Sequence, residues 1–218
     1  SLKIECTDDY PIIFIDSNAA YANNSGAGVI TWSVKDSSGD YCNTASVRSL
    51  IDDTPSNDSA PGRLEFMTTT SGTTPTTKMT ISSEGYVTKP SQPYFKANLA
   101  NGVRITGTGY VVFGSAVHNN GSHYNTSDGK FTAPVTGLYW FSSRINAYDR
   151  IDFQIRVNGS EVERGQYNTD SDNVGWWSNQ LTTLAFMTAG QYAQVYVTNL
   201  DQNSDPDLWC SFMGYLVC

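Results

Sequence analysis

The stretch from Gly129 to Phe141, GKFTAPVTGLYWF, constrains the fold of this chain more than any other. It reads as two strand pieces joined by a corner. Lys130-Phe131-Thr132 is short and β-prone, Pro134 and Gly137 punctuate, and Leu138-Tyr139-Trp140-Phe141 follows without a polar break. Proline fixes φ and glycine permits positive φ, so the chain can turn between sheets here. Side chains alternate along a strand, which sends Tyr139 and Phe141 one way and Leu138 and Trp140 the other. An antiparallel sheet normally shows one face to water. A strand apolar on both faces needs a second apolar neighbour: a ligand, another domain, another copy, or a second layer within one subunit. Burial by sister copies is the expectation adopted.

The closing segment, Leu208 to Val217, repeats the signal. Phe212 and Leu216 point one way; Trp209, Met213 and Tyr215 point the other. In contrast, Ile151, Phe153, Ile155 and Val157 alternate with Asp152, Gln154 and Arg156, and Ala193, Val195 and Val197 alternate with polar neighbours. The pattern therefore sorts strands into an inner sheet covered on both sides and an outer sheet with one wet face. Short strands separated by Gly, Asn and Pro turns, with Asn158-Gly159 the strongest hairpin signal, indicate a sandwich or jelly roll.

No long helical period interrupts this β pattern in the 218 residues. A net charge of −8 and the lack of a basic stripe argue against a nucleic-acid partner. No apolar run approaches about 20 residues, so no membrane-spanning helix or signal peptide is expected, although a start at Ser1 fits a processed or truncated piece. Cys6, Cys42, Cys210 and Cys218 form no CxxC pair, which argues against zinc, and Cys210 and Cys218 bracket one strand too long for them to bond. Free thiols are expected.

Residues 1–90 form a first, β-rich region. Leu2 to Cys6, Pro11 to Asp16, Val29 to Val34, Tyr41 to Ile51 and Arg63 to Met67 read as strands, Met67 to Thr77 as a Thr-rich hairpin tip. Large apolar residues are sparse for about 90 residues, so stability is expected to come from copies of the region. Gly62, Leu64, Phe66, Met79, Ile81, Ser83, Gly85 and Val87 resemble a G-x-L-x-F … M-x-I-x-S-x-G-x-V segment common in bacteriophage tail-fibre proteins. Lys89 to Pro93 carries two prolines and reads as the joint. In residues 94–218, Tyr110 to Phe113 is read as a strand, Val117 to Ser127 as a polar loop and Asn168 to Asn179 as a loop carrying Trp176 and Trp177.

Residues 94–218 closely resemble the globular head domain of complement subcomponent q, a relative of the tumour-necrosis-factor jelly roll. The family pattern is carried by Phe113, Asn120, Tyr124-Asn125, Gly129, Phe131, Pro134, Gly137, Tyr139 and Phe141, then by Asn158-Gly159, Leu184 to Gly190, and Ser211, Phe212, Gly214, Tyr215 and Leu216. The resemblance implies a ten-stranded jelly roll that forms a homotrimer through its inner sheet and binds rather than catalyses. The expected trimer interface and core is Phe131, Leu138, Tyr139, Trp140, Phe141, Phe212, Met213 and Tyr215. Collagen repeats precede many family heads; this chain has no G-X-Y run, which points toward a phage fibre or capsid protein.

Catalysis has little support. His118 and His123 lie in a polar stretch, and no G-x-S-x-G, phosphate loop or HExxH occurs. Trp176 and Trp177, with Asp170 and Asp172 nearby, suit a receptor-binding patch that grips a sugar face or partner pocket; alternatively the tryptophans begin the next strand and pack inward. Asp170 to Asn173 opens like a calcium loop but fails at Val174 and Leu181. Asp201, Asp205 and Asp207 form a second acidic loop that could hold calcium, as some family heads do, or simply be solvated; no other cofactor is expected.

The expectation is an all-β homotrimer: a fibre or base domain over 1–90 and a jelly-roll head over 94–218. It would serve as a virion fibre tip contacting other virion proteins and a host surface glycan or protein, without membrane insertion. The alternatives are a secreted animal pattern-recognition protein and a capsid decoration or head-fibre protein.

Overall fold

The computed structural model describes residues 22–148, 150–167, 175–200 and 209–218. The expected strands at Leu2 to Cys6 and Pro11 to Asp16 lie outside them. Contacts divide the chain into two units, Ser1–Pro90 and Ser91–Cys218.

The first unit is one five-stranded antiparallel meander: β1 (Gly26–Lys35), β2 (Tyr41–Ile51), β3 (Gly62–Thr68), β4 (Thr76–Ile81) and β5 (Val87–Thr88), adjacent in that order. Their Val, Ile and Thr content suits a pleated surface. The β1–β2 turn is closed by Asp36, whose carboxylate accepts from the Ser38 hydroxyl and from the Ser38 and Asp40 amides, while Gly39 adopts φ 93°. Register places Ile30, Val47, Phe66 and Met79 in one cross-strand row and Leu64, Ile81 and Val87 in another on the same face. The reverse face carries charge. Glu65 is buried there and accepts from Arg48 at 2.6 Å, Arg63 at 2.9 Å and Thr77 at 3.2 Å. Arg63 also reaches Asp52 at 3.3 Å. Burial opposes ionisation of Glu65, but its two arginines outweigh that and hold its carboxyl below the usual range. Leu50 and Ile51 are the buried apolar side chains among this unit's described residues.

The second unit is two sheets over one core. One sheet runs β13 (Ser160–Tyr167), β12 (Ile151–Val157), β15 (Tyr192–Leu200), β10 (Lys130–Thr132), β9 (Tyr124–Asn125), with β7 (Gly109–Tyr110) also on β15. The other runs β14 (Trp176–Met187), β11 (Gly137–Tyr148), β16 (Ser211–Leu216), β6 (Tyr94–Asn98), β8 (Ser115–Asn120). The corner at 133–136 carries the chain from β10 in one sheet to β11 in the other, as the Pro134 and Gly137 signals indicated. Gly137 is required sterically: a Cβ there would stand 2.5 Å from the Cys218 carbonyl oxygen.

The core is aromatic. Phe95 stacks on Tyr124 at 4.7 Å and Phe131 at 4.9 Å, and Phe141 meets Phe131 at 5.7 Å and Phe212 at 5.8 Å. Each such pair adds about 1 kcal/mol beyond its burial. Burial pushes the Tyr124 hydroxyl well up; it donates to the Phe113 carbonyl at 3.2 Å. Tyr139 is raised for the same reason and donates to the Val135 carbonyl at 2.7 Å.

Several local expectations fail. Tyr110 to Phe113 is not a strand past Tyr110: the Val111 amide still donates to the Val195 carbonyl at 2.9 Å, and the chain then departs from β15 with Val111 and Phe113 buried and Val112 exposed. Val117 to Ser127 is not a loop but the end of β8, a turn and β9, since Asn119 substitutes side-chain for backbone bonding by pairing with both the amide and the carbonyl of Tyr124. Gln154, placed on a wet face by alternation, is buried because Arg156 donates to its Oε1 at 2.6 Å and its amide donates to Glu161 across the hairpin. Among the described residues Cys42 and Cys218 are free thiols, and the buried Cys210 thiol donates to the Asn146 carbonyl at 3.6 Å.

Candidate interface and receptor-binding faces

The sheet β14–β11–β16–β6–β8 has the core on one side and no further layer of this unit's described residues on the other. Alternation along β11 sends Tyr139, Phe141, Ile145 and Ala147 inward, each 0 % exposed. Leu138, Trp140, Arg144 and Tyr148 take the open side and are half-buried. Gly214 on β16 is required beside them, because a Cβ would meet the Phe141 ring at 2.5 Å and the Trp140 carbonyl at 2.8 Å. With no side chain at Gly214, β16 lies flat against Phe141 and its flanking residues, Met213 and Tyr215, project outward.

Register then builds rows across the open face. Leu184, Trp140, Tyr215 and Tyr94 stand side by side on four strands, with the Trp140 and Tyr215 rings 5.3 Å apart. Phe186 and Leu138 form the next row. Leu184 is 55 % and Phe186 68 % exposed. Towards the other end the rows turn polar. Ser142 Oγ accepts from Gln180 at 3.1 Å and from Thr182 at 3.3 Å, and the Arg144 guanidinium lies 5.9 Å from the Trp209 ring and donates to its carbonyl at 3.1 Å. The face is thus an apolar patch of six large side chains joined to a hydrogen-bonding half.

The eight residues assigned from sequence separate into two sets. Phe131, Tyr139, Phe141 and Phe212 are 0 % exposed in the core and do not reach the open face. Leu138, Trp140, Met213 and Tyr215 line it. Leu184, Phe186 and Tyr94 were missed. The signal was present for two of them, since Leu184 and Phe186 alternate with the inward Ala185 and Met187, which makes β14 apolar on both sides, like β11.

Trp176 and Trp177 are not in a loop: β14 begins at Trp176, and the two pair with Tyr148 and Ala147. They therefore point to opposite faces. Trp176 is exposed on the open face, edge-on to Tyr148 at 5.5 Å; Trp177 is half-buried on the core side. Asp170, Asp172, Asp201, Asp205 and Asp207 lie outside the described residues. Among the described residues no His, Cys, Asp and Glu cluster has the geometry of a metal site, and no helix is long and apolar enough to cross a membrane.

The opposite, outer sheet carries stacked cations that no local sequence pattern announces. Arg156 lies 3.6 Å from the Tyr196 ring centroid with Tyr110 edge-on to Tyr196 at 4.9 Å, and Lys130 lies 4.7 Å from Tyr192. These partners are brought together by pairing and are distant in sequence.

The C1q domain family model matches residues 94–217, more than half of the chain and the whole of the two-sheet unit. The chain belongs to the C1q domain family. A complement C1q subcomponent of Rattus norvegicus is 39 % identical over 54 residues, 25 % of this chain and 22 % of that protein. The chain thus matches about a fifth of that relative's length. Solved structures similar to it include the globular domain of zebrafish complement 1qA protein, at 12 % identity, TM-score 0.49, covering 58 % of this chain and 98 % of that one. Murine APRIL gives 14 % identity and TM-score 0.48, covering 57 % and 98 %. The C1q head of this chain is therefore residues 94–217, and the amino-terminal sheet lies outside the matched region.

Proposed function

We propose that the chain is a homotrimeric recognition protein whose C1q head assembles through the open face of β14–β11–β16–β6–β8. C1q-like domains form homotrimers and are typically binding modules rather than enzymes. The observation that carries this reading is the row Leu184–Trp140–Tyr215–Tyr94, with Phe186 and Leu138 beside it, exposed on a sheet whose other side already holds a complete core. An apolar patch of this kind marks an interaction surface. Three copies would multiply weak single contacts into firm attachment to a cell-surface receptor, a glycan or a protein. The Arg156–Tyr196 stack on the outer sheet, which assembly through the opposite sheet leaves accessible, is suited to that contact.

The setting we propose is a virion fibre, on the strength of the Gly62 to Val87 pattern and the β meander that contains it. The first test is light scattering: the protein should elute at three times 23.9 kDa, and Trp140→Glu should dissociate from that mass more readily on dilution with the head's β spectrum retained. A wild-type single chain at micromolar concentration would end the trimer reading. Mass spectrometry of purified virions tests the setting, which is abandoned if the protein is instead found secreted by animal cells.

A further inference from the structure

One face of the amino-terminal sheet is apolar, the other carries Arg48, Glu65 and Arg63 together with Val29, Leu50 and Met67, and the unit's described residues form no second layer. On the apolar side, β1 contributes Ile30, Trp32 and Val34, β2 Val47, β3 Leu64 and Phe66, and β4 Met79 and Ile81. Trp32 is 51 % exposed. Apart from Lys78 at the β4 bulge, no Asp, Glu, Lys or Arg of the strands is placed on that side by the register, whereas Arg48, Glu65 and Arg63 are on the reverse. A single sheet with an open apolar face cannot close a core by itself, since a sheet must bury that face against another layer.

Two features identify a second copy as the covering layer. The first is area. The four longer strands, of 10, 11, 7 and 6 residues and about 4.8 Å apart, give roughly 540 Å² of flat footprint. Side-chain relief raises this toward the about 800 Å² per partner of a standard interface. The second is shape. A hollow of about 220 Å³ lined by Gly28, Ile30, Val47, Ser49 and Leu64 lies on the same side as Trp32, which stands proud beside the small Ala45. One face thus carries both a projecting ring and a recess for one. A face carrying both is complementary to the same face of another copy. Freedom from charge matters as well, because copies carrying −8 each can meet only where no like charges are forced together.

We propose that this face is covered by a second copy of the chain, with Trp32 of one copy seated in the Gly28–Ser49–Leu64 hollow of the next. The amino-terminal unit then has a self-association surface of its own, separate from the open face of the C1q head. The inference rests on the trimer reading only for the number of copies.

The test uses the full chain carrying the photo-crosslinker Trp32→p-benzoylphenylalanine, assembled as an equal mixture of light and ¹⁵N-labelled protein. Irradiation should give mixed-isotope peptides joining position 32 to residues 26–30, 47–49 or 62–68 of another copy. The same probe at Thr31, on the reverse face, should give none. Should the bulky probe disturb folding, Leu64→photoleucine, close to isosteric, gives the reciprocal link to Trp32. Crosslinks confined to one isotope, including any to residues 1–21, would show that the chain covers its own face and overturn the inference, as would equal yield from positions 31 and 32 or no inter-copy product from position 64. Repeating the experiment in Trp140→Glu separates the readings. Inter-copy links at 32 that persist there support this surface whatever the fate of the head interface. A trimer held by the head with no such links removes this surface and leaves the head reading standing.

Discussion

The head sheet that carries Trp140 hides Tyr139, Phe141 and Phe212 on its other side; the amino-terminal sheet that carries Trp32 bears the Arg48–Glu65–Arg63 ion cluster on its reverse, with only Glu65 buried. Both present apolar rings to the open. In the head, those rings are surplus to the fold, because a closed two-layer core lies beneath them. In the amino-terminal unit they are most of the apolar surface the described sheet owns, and its reverse face is held by charge. If both faces are covered as proposed, the same surface feature would mark an optional interface in one region and a required one in the other. Assembly would be a choice for the head and a condition of folding for the sheet.

The largest effect should come from Phe141→Ala. It empties the centre of the aromatic cluster and should cost about 3–5 kcal/mol, read as a fall in the head's urea midpoint. Its neighbour supplies the contrast. Phe186→Ser, on the open face, should leave the urea midpoint of dilute single chains within about 0.5 kcal/mol, the scale of ordinary surface substitutions. It should nevertheless weaken assembly, seen as a stronger dependence of Tm on protein concentration. Equal losses from the two changes would mean the open face belongs to the subunit's own core.

An intermediate effect is expected from Arg63→Ala. Glu65 is buried and keeps only Arg48 and Thr77 when Arg63 is gone, and Asp52 loses its cation. Leaving such a group under-satisfied costs about 1–3 kcal/mol. The loss should be confined to residues 22–88, with faster hydrogen exchange in β2 and β3 and none in β11 or β16. Spread of the effect into the head would contradict the division of the chain into two separate units.

The head was largely legible before its structure because its strands carry their burial in their alternation. That Tyr139 and Trp140 face opposite ways follows from period two and from the absence of any polar break; which of them faces the core was decided only by the packing. What could not be read depends on partners remote in sequence. Gln154 looks solvent-facing until Arg156 and Glu161 close over it. Trp176 looks like a loop residue until Tyr148 pairs with it. Tyr196 acquires its cation from Arg156 across a register that no local pattern encodes. In the amino-terminal unit the thinness of the core was visible in the composition. The sidedness of the sheet was not, because bulges between Trp32 and Ser33 and between Phe66 and Met67 reset the alternation part-way along the strands.

The smallest effect is the response to pH, and it should take opposite sign in the two regions. Glu65 and Asp52 titrate below their ordinary values of 4.5 and 3.8. For Asp52 the Ser83 amide is the main cause; for Glu65, Arg48 and Arg63 overcome its burial. A lowered folded-state value favours the ionised form, so the stability it confers is complete above about pH 4.5 and is lost as pH falls through the lowered values. In the head, Tyr124 and Tyr139 are raised above 10.0 by burial. The fold favours their neutral form, so that contribution is complete below pH 10 and is lost as pH rises past it. Hydrogen exchange followed by peptide should therefore show β2–β4 loosening first in acid and β9–β11 first in alkali. Glu65→Gln should flatten the acid limb for β2–β4 and leave the alkaline limb unchanged. If both regions loosen together at each extreme, the ion cluster is not what holds the reverse face of the amino-terminal sheet, and the contrast between a charge-held layer and a core-held one fails.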